Sequence, residues 1–67
     1  MSLTSGQQIF AEAIGVDSHD FWNVVVKGMP SQEKDMLNSC AKKLGAGDMN
    51  TDEAKRIFNN MLRNIKR

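Results

Sequence analysis

Apolar positions recur along the 67-residue chain at helical spacing, in four segments divided by glycines and a single proline. The last segment is the most regular. Ala54, Ile57, Phe58, Met61, Leu62 and Ile65 keep to one side of a helix, which predicts a helix over 51–65. Asn50 and Glu53 have the spacing of a capping box, and Met49 stands before the cap where a staple residue belongs. Met36, Leu37, Cys40, Ala41 and Leu44 form a similar stripe and predict a helix over 31–44. Pro30 or Ser31 opens it, and the run Gly45-Ala46-Gly47 stops it. Ile9, Phe10, Ala13 and Ile14 predict a helix over 5–14, opened by a Thr4–Gln7 capping-box pair and closed by Gly15. Gly6 in its first turn counts against helix formation.

The remaining segment, 18–27, is less simple. Asp17 or Ser18 is the expected N-cap and Gly28 the terminator. Val24, Val25 and Val26 are β-branched and suit a strand, but no second strand candidate exists to pair with them, so the segment is assigned as a helix. At about 100° per residue, Phe21, Val24 and Val25 share one face. Trp22 and Val26 share a neighbouring side, with Met29 one turn on. Together these residues wrap more than half of the circumference, a wider arc than a surface helix needs. Phe21 and Val25 are therefore assigned to the core. Either this helix is central and covered on two sides, or Trp22, Val26 and Met29 form a protein-contact patch, tryptophan being a frequent anchor of interfaces; the site expectation follows the second reading.

The expected architecture is all-α, a compact four-helix domain spanning 1–67, which can equally be a piece of a longer protein. The expected core comprises Ile9, Phe10, Ile14, Phe21, Val25, Leu37, Cys40, Leu44, Ile57, Phe58, Met61, Leu62 and Ile65. A chain of this length buries only about 60% of its unfolded surface and rarely gains more than ~3–5 kcal/mol from its core. A partner surface would be one source of further stability.

Charge narrows the function classes. The net charge of +1 argues against a strong electrostatic binder of nucleic acid. Its distribution is uneven: Glu12, Asp17 and Asp20 are the only charged residues in 1–26, whereas Lys55, Arg56, Arg63, Lys66 and Arg67 make the last helix basic. These five residues carry the alternative reading, a helical domain whose fourth helix contacts phosphates. Cys40 is the single cysteine, which excludes an intramolecular disulfide, and His19 is the only other soft ligand, so no metal and no cofactor are expected. No apolar run approaches the roughly 20 residues of a membrane span, and no signal segment is visible. A lone thiol suits a reducing compartment, and an intracellular, cytoplasmic location is expected.

Short motifs add further possibilities. The stretch GVDS at 15–18 resembles the attachment motif of acyl carrier proteins, and the resemblance implies phosphopantetheine on Ser18. It covers four residues, and His19 stands where that family has an aliphatic side chain. The stretch DMNTDE at 48–53 resembles the start of an EF-hand loop, but Glu53 replaces the required glycine and Asn59 the bidentate glutamate. Residues 21–45 read as helix, proline-marked turn, helix, and loosely resemble the terminal repeat of HEAT-type solenoids. His19 and Cys40 form no catalytic constellation at the level of sequence, and no catalytic residue is assigned. The leading expectation is a non-catalytic protein-interaction module, self-associating or partner-binding through its second helix. Nucleic-acid binding through the fourth helix comes second and a carrier domain modified at Ser18 third.

Overall fold

The computed structural model describes residues 3–65, with the side chain of Ile65, one of the expected core residues, outside the description. Four helical segments follow one another. Helix α1 spans Ser5–Ala13, α2 covers 18–28, α3 spans Ser31–Ala46 and α4 spans Thr51–Ile65. No strand occurs among the described residues. The all-α four-helix expectation therefore holds.

The ends of the helices are set by local chemistry. Thr4 and Gln7 close a reciprocal box: the Gln7 N–H donates to Thr4 Oγ1 at 3.2 Å and the Thr4 N–H to Gln7 Oε1 at 3.0 Å. Helix α1 ends with Gly15 at φ 76°, the left-handed conformation that glycine adopts without a Cβ penalty. There the Val16 N–H donates to the Ala11 carbonyl and the Gly15 N–H to that of Glu12, a Schellman closure. Helix α3 ends in the same way, with Gly47 at φ 81° and the Asp48 N–H donating to the Lys43 carbonyl at 2.8 Å. It runs two residues beyond the expected stop at Leu44, because Gly45 serves a different purpose from Gly47.

That purpose is the crossing of α1 and α3. Gly6 is buried, and a Cβ built on it would overlap the Ala41 carbonyl oxygen and stand 2.7 Å from the Ala41 carbonyl carbon. A Cβ on Gly45 would stand 3.2 Å from the Gly6 nitrogen. The two backbones thus meet with no side chain between them. Gly6 gives up helix propensity in exchange for this approach, which explains a residue that sequence periodicity counts against α1.

All four aromatic side chains gather in one cluster around Phe10. Its ring centroid lies 5.8 Å from Phe21, 5.7 Å from Trp22 and 5.9 Å from Phe58, the last two edge to face. Such pairs add about 0.5–1.5 kcal/mol each beyond their burial. Leu37, Cys40, Ala41 and Leu44 close the core from α3, and Ala54 and Met61 from α4. Ile14, Ile57 and Phe58 are partly buried against it, whereas Ile9 and Leu62, expected inside, are exposed. The alanines Ala11, Ala41 and Ala54 are buried as well, although the expected core comprises only larger side chains.

Candidate protein-contact surface

Helix α2 departs from the α-helical period, and this decides which of its side chains reach the surface. It begins as an α-turn over Ser18–Asp20, with Asp17 Oδ2 accepting from the Asp20 N–H at 3.3 Å. Over Phe21–Val25 it widens into a π turn, in which the Val26 N–H donates to the Phe21 carbonyl five residues back. Over Val26–Gly28 it tightens to 3₁₀, with the Met29 N–H donating to the Val26 carbonyl at 3.0 Å. The i to i+5 hydrogen bond brings Val26, not Val25, into line above Phe21. Phe21, Trp22 and Val26 consequently face the core together.

The assigned contact patch is corrected by this geometry. Trp22 is 6% exposed and Val26 3%, and Met29 is half-buried against the core cluster. The indole N–H of Trp22 is also used internally, donating to the Gln7 main-chain carbonyl at 2.7 Å. Neither Trp22 nor Val26 is free to meet another molecule in this fold. Their neighbours are: Val24 is 67% exposed and Val25, expected inside, is 48% exposed. The outward apolar face of α2 is therefore the Val24–Val25 pair. The signal for this was the apolar arc itself, too wide for one face at a period of 3.6. A wide arc that includes three consecutive valines is compatible with a wider turn as well as with two faces.

The other candidates fall as follows. Lys55, Arg56 and Arg63 are exposed on α4, whereas Lys66 and Arg67 lie outside the described residues. Arg56 and Arg63 share a helical face with Asp52, one turn before Arg56, so the basic stripe is interrupted by an acid. Ser18 is half-buried as the first residue of α2, behind the Asp17 cap. Asn50 Oδ1 accepts from the Glu53 N–H at 2.8 Å, so part of the EF-hand-like stretch is occupied in capping α4. His19 is exposed, and Cys40 is buried in the core. Burial pushes the Cys40 thiol pKa up, Lys43 opposes the shift and Glu53 adds to it. No group of three or more potential ligands able to hold a metal occurs among the described residues, nor does any helix there have the length and apolarity to cross a membrane.

Grooves cut the surface between the helices. One, between α1 and α3, is lined by Thr4, Gln7, Asn38 and Lys42 around the glycine crossing. A second, between α3 and α4, has Met36, Ile57 and Met61 as its apolar lining and Glu33 at its edge. The third, of about 470 Å³, lies between the end of α1 and α4, lined by Ile14, Phe58 and Leu62 together with Glu12 and Lys55.

Comparison with protein-family models, with curated proteins and with solved structures returns no significant match. The functional reading therefore rests on the residues and their geometry.

Proposed function

We propose that the protein is a non-catalytic protein-interaction module that meets a protein partner through the outer face of α2. The observation that supports this reading is the π turn. It places two adjacent β-branched residues, Val24 and Val25, in solvent while a third valine fills the core. π turns are uncommon and concentrate at functional sites. Exposed apolar side chains on a stiff helical turn lose little entropy on docking, because valine has a single rotatable χ angle of limited freedom. The pair is small, so the contact it supports is of modest affinity, and flanking polar groups such as Asn23 and Lys27, both exposed, would form its rim.

The test is site-specific photo-crosslinking in cells, with the reactive residue placed at Lys27 and, as a control, at the exposed Ser39 of α3. A discrete protein adduct is expected from position 27, absent from position 39 and lost with Val24→Ser and Val25→Ser together. Equal labelling at the two positions, or adducts indifferent to the valines, would exclude α2 as the contact.

A further inference from the structure

We infer that the groove between α1 and α4 seats a second copy of this chain in a two-fold symmetric dimer. This surface is distinct from the valine pair of α2, which does not line the groove, and the inference does not depend on the reading above. Three features support it. First, the groove has an apolar lining, in which Phe58 and Ile14 are half-buried and Leu62 is 39% exposed. Ile9, also exposed, stands one turn before the groove-lining Ala13 on the same face of α1 and extends the apolar area. Leu62 and Ile9 are residues whose periodicity marks them for burial, and a second copy would complete that burial.

Second, the charges are self-complementary. Glu12 lines the groove from α1, Lys55 from α4, and the apolar residues lie in the same lining. A two-fold axis placed midway between these two charges sets Glu12 of each copy against Lys55 of the other, so one interaction is made twice. Third, the two grooves beside α3 lack this property. The α1–α3 groove has Lys42 as its only charged lining residue and the α3–α4 groove only Glu33, so a two-fold contact across either finds no opposite charge in the lining to pair with.

The charges also supply the test. In Glu12→Lys both charged positions of the groove are basic, and in Lys55→Glu both are acidic. Each variant should repel its own copy, yet the two should attract one another, because every cross-pair is then Lys against Glu. Both side chains are exposed, so both variants should keep the native helical circular dichroism. Sedimentation equilibrium of the wild-type chain should show a mass rising with concentration toward that of a dimer. Each variant alone should associate at least about tenfold more weakly, and an equimolar mixture should recover the dimer. Leu62→Ser, at an exposed position, should weaken the wild-type dimer without unfolding the monomer. A wild-type chain that stays monomeric up to millimolar concentration would overturn the inference, as would a dimer unaffected by the single swaps or a mixture no more associated than its components. Loss of the dimer on Val24→Ser with the groove variants unaffected would move self-association to α2 and would also overturn it.

Discussion

The indole of Trp22 donates its N–H to the main-chain carbonyl of Gln7, 2.7 Å away and fifteen residues earlier in the chain. One side chain thus combines the burial of a large ring with a polar tie between α2 and α1. Trp22→Phe keeps most of the ring contacts with Phe10 and Phe21 but removes the donor. It should lower stability by about 1–2 kcal/mol, combining the lost hydrogen bond with a smaller ring, whereas Trp22→Ala should cost about 3–5 kcal/mol. Urea unfolding monitored by circular dichroism gives both values. In the native chain the tryptophan emission should be blue-shifted, and unfolding should move it to the red. An exposed indole would show no such change.

The α1–α3 crossing leads to a contrast between glycines. Gly6→Ala places a methyl group into the Ala41 carbonyl and should abolish the native fold or separate the two helices. Gly28→Ala meets nothing within 4 Å and carries no positive φ, so it should be neutral or stabilise by up to about 1 kcal/mol. Thermal unfolding of the pair checks both signs at once. Equal effects would mean that the backbones do not approach closely.

The π turn predicts an order among the three valines. Val26→Ala opens a cavity beside Phe21 and should cost about 2 kcal/mol. Val24→Ala and Val25→Ala, both on the exposed side, should lie within about 0.5 kcal/mol of the wild type. A regular α-helix would reverse the ranking of Val25 and Val26, so denaturant midpoints for the three variants distinguish the two geometries.

Much of this architecture could be read from residue order, and the exceptions have one physical theme. Caps, glycine stops and the inner stripe of α4 are local features, determined within a turn or two: the Thr4–Gln7 box, the Asn50 cap, the stops at Gly15 and Gly47 and the inward-facing Ala54, Ile57, Phe58 and Met61 appear near their expected places. The assignments of Val25 and Val26 are interchanged because helical periodicity presumes hydrogen bonds four residues apart, and α2 bonds five apart where Phe21 and Val26 meet. The contact-patch reading of Trp22 fails for the same reason. The role of Gly6 depends on how closely two helices approach, a distance that no single-segment pattern contains. The exposed side chains of Ile9 and Leu62 continue apolar stripes beyond the width that the core of a 67-residue chain can cover.

Cys40 makes a chemical prediction. Its thiol is buried and its pKa is raised, chiefly by desolvation, so the native chain should react with a thiol reagent only through opening. The labelling rate should rise by orders of magnitude in denaturant. Because the folded state holds this proton more tightly than the unfolded chain, the thiol's stabilising contribution is complete below its unfolded pKa. It is lost as pH rises through the higher folded value, so stability should fall in the alkaline range. Replacing Cys40 by alanine should remove that part of the alkaline loss while lowering stability at neutral pH through the cavity it leaves.

The meeting of Gly6 with residues 41 and 45 bears on how the molecule comes into being. The first helix is synthesised early, but nine residues are too few to persist alone in water. Its backbone finds its neighbour only once α3 has left the ribosome, and Phe10 gains its last aromatic contact only when Phe58 follows. Assembly should therefore be a single late event, with no stable half-domain preceding it, and a nascent chain arrested before residue 41 should remain sensitive to protease throughout.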